Sequence, residues 1–359
     1  MWKINLYYIF WGERKEMYRY SCTLQESQKD ALSKIYNSQH NVVMDPLRLN
    51  EQINNAINLS NADVSFPLVV YRYDEIAAFC LVHLFRQEKI RSIGTLTFSI
   101  LISNGDVLAL KNIFSAIIIE AKKRDCLQSN DPVIYGPVHN SILVNRGYRT
   151  FSGAPFTWQM PDNDPVLCDW LMGAGCLKEK DLLEIVYQYD PQDILLTHTD
   201  ERLLNRLSGI DFDHVKKDEI AANQQEIAEV YNIAWQDNWG FSPTTSEEIA
   251  IATENVQNIM GMIARKDGRI IGFTMMHFTE NKVGRAFFSG VLPEYRQRGL
   301  SVVLTSKLSS IAIQQDISNF SISWMLEDNK MIVRTMQKLT RHGESQLRRY
   351  RIFAIQKII

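Results

Sequence analysis

Apolar and polar positions follow one order of elements twice along this chain. In the first half, residues 24–37 and 46–58 carry polar-faced helical patterns. Residues 67–85 place two apolar, β-rich runs on either side of Arg72, Tyr73, Asp74 and Glu75, which predicts a hairpin. A strand is expected at 96–103. Val107, Leu110, Ile113, Phe114, Ile117 and Ile118 then recur at helical spacing over 107–124. A short apolar run at 133–135 ends at Gly136 and Pro137. After a Gly- and Pro-rich loop, 165–175 reads as helix and 182–189 as a closing strand.

The stretch from Asp190 to Glu201 holds Pro191 and several polar residues and is the expected linker. In the second half, residues 218–234 place Ile220, Ile227, Val230, Tyr231 and Ala234 on one helical face. Asp267-Gly268 sits between two apolar runs within 260–278, a strong hairpin signal. Strands are expected at 284–291, 319–326 and 350–357, and helices at 300–314 and 329–340. This order predicts a mixed α/β layer (an α+β mixed sheet) rather than a doubly wound repeat.

The chain has 359 residues, enough for two domains of about 150–200 residues. The expected division is 1–195 and 205–359. Hydrophobic residues make up 45% and charged residues 22%, so a packed core is expected. The net charge of −2 offers no basic excess for phosphate backbones, which argues against nucleic acid as a partner. The five cysteines, Cys22, Cys80, Cys126, Cys168 and Cys176, are odd in number and lack CxxC spacing. That argues against disulfides and metal and for a reducing compartment, the cytoplasm. The N-terminal apolar run lacks a small-residue cleavage site and reads as a strand or extension. No run approaches the roughly 20 apolar residues a membrane span needs.

The chemistry concentrates at residues 287–303, FFSGVLPEYRQRGLSVV. A strand ends, Pro293 breaks it, and Arg296-Gln297-Arg298-Gly299-Leu300-Ser301 opens a helix. A helix start leaves N–H groups unpaired and carries partial positive charge. A glycine at the tightest point lets backbone approach a ligand. Together these make an anion cradle suited to a diphosphate.

The stretch VLPEYRQRGLS resembles motif A of the GNAT N-acyltransferase superfamily, with Arg296, Gly299 and Ser301 at the defining positions and serine in place of the usual final Gly or Ala. The segment SWMLEDNKMIVRTMQKL resembles motif B, with Asn329 at the helix start. The chain is also similar to a bacterial GNAT subgroup through Tyr231–Pro243 and Glu327-Asp328-Asn329. Its first half, around Ile134–Ser141, resembles a degenerate GNAT repeat, with SNGDVLAL where motif A would stand. The resemblance implies two GNAT-like domains in tandem, the N-terminal one degenerate, and one cofactor site in the second half.

It further implies acetyl-CoA or a longer acyl-CoA as co-substrate and a small-molecule primary amine as acceptor. An acyl carrier protein or aminoacyl-tRNA donor, or a binding module without turnover, are the alternatives. Ser289, Gly290 and Val291 would bond the pantetheine arm, with Gly290 at a bulge and the Val291 N–H polarising the acyl carbonyl. Gln297, Arg298, Gly299, Leu300, Ser301 and Val302 would present N–H groups to the diphosphate, and Asn329 would bond the cofactor side of the cleft. Met336 and Trp324 occupy the positions of the family's frequent tyrosine acid and glutamate base. Glu327 and His277 are then the candidate bases, against structural roles as a cap and a core histidine. Trp235, Asn238, Trp239 and Phe241 are candidates for an acceptor or acyl-chain wall, against a tryptophan-anchored turn.

Overall fold

The computed structural model describes residues 7–9, 18–40, 43–152, 160–193, 201–254, 256 and 258–356. Most of the N-terminal extension, much of the Gly- and Pro-rich loop (153–159) and much of the expected linker (194–200) lie outside these.

The chain forms two compact units, the first running to Asp181 and resuming at Tyr350, the second Leu182–Arg349. The first contains β1 (Tyr7–Ile9), β2 (Tyr18–Ser21), α1 (Lys29–Asn37), α2 (Pro46–Asn58), β3 (Val64–Arg72) and β4 (Glu75–Leu84). β5 (Leu96–Ser103), α3 (Val107–Lys123), β6 (Ile134–Gly136), β7 (Tyr148–Arg149) and α4 (Val166–Gly173) follow. β8 (Leu177–Gln188) crosses into the second unit, which continues with α5 (Glu201–Arg206), β9 (Asp211–Lys216), α6 (Lys217–Ala222), α7 (Gln224–Trp235) and α8 (Ser246–Glu254). Then come β10 (Ile259–Lys266), β11 (Arg269–Phe278), β12 (Val283–Val291), α9 (Leu300–Gln314), β13 (Asn319–Leu326), α10 (Lys330–Leu339) and β14 (Ser345–Ile355), which crosses back.

The strand order is β1-β2-β3-β4-β5-β6-β14 in the first unit and β8-β13-β12-β11-β10-β9 in the second. Within each, one short parallel pair, β5–β6 or β12–β13, interrupts antiparallel neighbours. The expected domain limits differ from these units. The second half of β8 pairs with β13, and the last residues of β14 pair with β6. Alternation marks a strand but leaves its partner open, so neither exchange shows in the local pattern.

Local chemistry explains most element boundaries. Asp267 (φ +50°) and Gly268 (φ +80°) both adopt the left-handed turn that joins β10 and β11. Asp45 accepts the Arg48 N–H and Pro46 occupies the first turn of α2. The helix expected over 218–234 breaks into α6 and α7 at Asn223, whose Oδ1 accepts from Arg265 Nη2 at 2.6 Å. In the second unit, Tyr231 of α7 stacks on Phe288 (centroids 4.6 Å apart), and Phe288 packs on Phe273. Leu300, Val303, Leu304 and Leu308 bury the inner face of α9, which packs on β10 and β11. Both α7 and α9 thus pack against β11 and β12.

Candidate functional site

The site forms where two parallel strands part. β12 and β13 pair from Val283↔Asn319 to Ala286↔Ile322 and no further. Beyond that point β12 follows β11 as far as Gly272↔Val291, and β13 follows β8 as far as Leu326↔Leu182. Both strands carry irregularities there. Phe287 is an extra residue in β12, opposite the step from Met275 to Met276. Ser323 and Trp324 of β13 together oppose the single Glu184 of β8, so β13 carries one extra residue there. Such insertions bend a strand and interrupt its ladder. The result is a wedge that opens toward the C-terminal ends of both strands.

The insertion in β12 also decides which backbone groups face the wedge. Antiparallel neighbours exchange hydrogen bonds at every second pair. Leu292 donates its N–H to Ile271 C=O at 3.0 Å, so by alternation Phe273/Gly290 and Met275/Phe288 are the bonded pairs. Ser289 and Val291 therefore direct their N–H and C=O groups away from β11, into the wedge. The bulge expected at Gly290 lies at Phe287 instead. Gly290 pairs regularly, and its missing side chain serves packing. A Cβ there would stand 3.1 Å from the Phe273 ring and 3.4 Å from Ala234.

Two side chains already reach this edge. Trp235 Nε1 donates to Ser289 C=O at 2.6 Å. Arg296 Nε donates to Val291 C=O at 3.2 Å, and its Nη2 donates to Ala234 C=O. Arg296 thus acts through its side chain as a brace between β12 and α7.

At the open end, a 3-10 turn at Pro293–Tyr295 leads to the start of α9. Gln297 (φ +60°) and Gly299 (φ +87°) are both left-handed. Alternation of left- and right-handed backbone gathers successive N–H groups into a concave anion-binding surface. The first backbone bond of the helix runs from Val303 N–H to Gly299 C=O at 3.1 Å. Among the described residues, the N–H groups of Gln297 to Val302 make no backbone hydrogen bond. Gln297, Arg298 and Ser301 are exposed, while Gly299 is half-buried. A Cβ on Gly299 would meet Leu203 of α5 at 2.5 Å, so glycine answers both the backbone angle and a side-chain contact. Leu203 carries no recognisable signal in the sequence.

A buried polar row lies at the narrow end of the wedge. Arg285 Nε donates to Ser323 Oγ at 2.9 Å, and its guanidinium lies 5.4 Å from the Trp324 ring centroid. Ser321 Oγ donates to Glu184 at 2.5 Å, and Arg348 stands 3.7 Å from the same carboxylate. His277 pairs across the ladder with Arg285. Burial, reinforced by Arg285, lowers the His277 pKa to about 4. Its imidazole is neutral at pH 7 and a weak proton acceptor. Ser321 and Ser323 alternate with apolar residues in β13, which was the available sequence signal for this row.

The remaining sequence candidates are spread around the same strands. Asn329 caps α10, its Oδ1 accepting the Ile332 N–H at 3.3 Å. Glu327 is half-buried in the turn between β13 and α10, at the open end of the wedge. Met336 is buried on the inner side of α10. Trp235 and Phe241 flank Tyr231, with centroids 6.0 Å and 6.2 Å away. Asn238 contributes backbone bonds, donating to Trp235 C=O and accepting from the Phe241 N–H. Trp239 is half-buried in the same loop.

Residues 225–339 match the sequence profile described as the Acetyltransferase (GNAT) family. No curated protein sequence matches the chain. Among solved structures, a tandem GNAT protein from the clavulanic acid biosynthesis pathway superimposes with TM-score 0.53 and 12% identity, over 91% of this chain and 93% of that one. A GCN5-related N-acetyltransferase from Sphaerobacter thermophilus gives TM-score 0.53 and 11% identity, over 94% and 95% of the two chains. Another from Anabaena variabilis gives 0.53 and 12%, over 94% and 72%. Residues 225–339 are a GNAT domain, and the chain that carries it has the mixed α/β fold of a tandem GNAT protein.

Proposed function

We propose that the second unit is an acyl-CoA-dependent N-acyltransferase that moves an acetyl or longer acyl group to a primary amine. The observation that carries this reading is the wedge. The outward-facing edge of Ser289 and Val291 lies beside a turn, Gln297 to Val302, whose N–H groups are not used by the helix. A diphosphate on that turn would gain several charge-assisted hydrogen bonds, each worth about 1.5–3 kcal/mol. A pantetheine arm in the wedge would continue β12 as an added strand. The Ser289 and Val291 N–H groups are then the donors available to polarise the thioester carbonyl.

Acyl transfer requires a neutral amine, whereas an alkylammonium has a pKa of about 10.4. His277 is poorly suited to take that proton, since its own pKa lies near 4. Glu327 is the better candidate base, standing at the open end of the wedge, with water as a relay. With Met336 buried where a tyrosine acid is frequent, the leaving thiolate is protonated from solvent. Its pKa of about 8.5 makes a strong acid unnecessary.

The first unit is proposed to hold no cofactor. Leu101 of β5 gives its N–H to the Tyr148 hydroxyl at 3.0 Å, and Tyr148 returns a bond to Leu101 C=O at 3.4 Å. The Ser103 N–H donates to Gln39 Oε1. At the start of α3, the Asp106 carboxylate accepts from the Ala109 N–H and the Tyr18 hydroxyl. Side chains of that unit thus occupy both the strand edge and the helix start.

Thermal shift with CoA, acetyl-CoA, a long-chain acyl-CoA and desulfo-CoA tests binding, because a ligand of the native state raises stability by mass action. Calorimetry is expected to give one CoA per chain, and two would reject the assignment of the first unit. Thiol release from acyl-CoA across a panel of amines tests turnover. Binding without release for any amine would favour a module that holds acyl-CoA.

A further inference from the structure

We propose that Trp235 and Arg296 form a latch over the cofactor channel, opened when the cofactor arm takes the strand edge they occupy. This rests on the reading of the wedge as the acyl-CoA site. The free edge of β12 offers two carbonyl acceptors, those of Ser289 and Val291. Both are engaged by side chains, the first by Trp235 Nε1 at 2.6 Å and the second by Arg296 Nε at 3.2 Å. An arm that adds to this edge as a strand needs those carbonyls for its own amide N–H groups. It therefore competes with the indole and the guanidinium for the same atoms.

The two ties converge on one place. Trp235 is the last residue of α7, and Arg296 also bonds the carbonyl of its neighbour Ala234. The chain beyond this point is the loop to α8, fastened internally by Asn238 N–H to Trp235 C=O at 2.8 Å and by Asn232 to both backbone groups of Thr244 at 2.9 Å. Freeing the Trp235 indole releases the entry of this loop while Asn232 keeps its far end in place. The conformation of this loop is thereby coupled to the occupant of the β12 edge. Trp235 and Arg296 are positioning residues in this scheme.

The test is Trp235→Phe, which keeps a ring against Tyr231 and deletes the N–H. Isothermal titration with CoA is expected to show about 2- to 12-fold tighter binding, because the arm no longer has one neutral hydrogen bond to displace. Wild-type tryptophan emission is expected to change on saturation with CoA, and that change is expected to be smaller in the variant. Hydrogen exchange in residues 236–245 should change with CoA in the wild type. CoA binding to Trp235→Phe with equal or weaker affinity and an unaltered emission change would overturn the latch and leave the cofactor site standing. Absence of CoA binding to the wild type would overturn both.

Discussion

Ser301→Asp separates a binding role of the Gln297–Val302 turn from a structural one, because the two predict opposite signs. Ser301 is exposed in the first turn of α9, beside N–H groups that make no backbone hydrogen bond. A carboxylate in this position interacts favourably with the helix dipole by about 0.3–1 kcal/mol. Free protein is therefore expected to melt about 1–4 °C higher. A bound diphosphate would instead meet a like charge at about 4 Å. Coulomb repulsion there amounts to about 1 kcal/mol in bulk water and about 4 kcal/mol at the dielectric of a protein surface. Taking about 2–4 kcal/mol, CoA affinity should fall by roughly 30- to 1,000-fold. The loss should shrink as salt is raised, since exposed charges are screened. Ser301→Asn, with the same shape and no charge, should bind CoA within a few-fold of wild type. Calorimetric titration at low and high salt, beside thermal melts, reads all of these. If Ser301→Asp kept its CoA affinity within threefold, or lost stability and affinity together, the diphosphate assignment would fail. Gly299 is the less informative position, since any side chain there collides with Leu203.

Further outcomes follow from individual contacts. Glu327→Gln is expected to lower kcat by roughly 10²- to 10⁴-fold with CoA affinity unchanged, the range for loss of a general base; an unaltered pH–rate profile would remove Glu327 from that role. Asp193, buried, accepts the N–H groups of Arg341, His342 and Gly343 and the Tyr187 hydroxyl. Asp193→Ala should destabilise the protein by about 3 kcal/mol, because four donors, the buried Tyr187 hydroxyl among them, lose a charged acceptor; denaturant melts check this. Burial holds His139 and His277 at about 4 and His83 well below its ordinary value, with His139 adding to the effect at His83. Unfolded imidazoles take up protons near pH 6.5, while these do so only near 4 or below. The unfolded state therefore binds more protons across that window, and stability should fall as pH drops from about 6.5 toward 4. His139→Gln should flatten that slope in pH-dependent melts, and an unchanged slope would contradict the assignment.

Much of the fold is legible in local patterns. β5, α9 and β13 coincide with the expected 96–103, 300–314 and 319–326, because each is long, periodic and bounded by turn residues. β9 and α8 carry no comparable signal. DFDHVK and SEEIAIATE carry too much charge for their alternation to stand out, and their ladder and helix contacts stabilise them instead. The motif around Arg296–Ser301 was visible because glycine and helix start are local features. Leu203 and Tyr148 were not, since each acts across a distance in sequence.

The sequence by itself determined where strands and helices form, that two units exist, and which glycine opens α9, since propensity, periodicity and turn geometry act over a few residues. Only the tertiary structure decided which strands pair, and so where β12 and β13 part. It also decided that the extra residue is Phe287 rather than Gly290, and that Arg296 braces α7 instead of reaching outward. Hydrogen-bond phase across a sheet depends on the register between two strands, which no single segment encodes. One inserted residue turned the Ser289 and Val291 amides into the wedge, and the proposed chemistry depends on that turn.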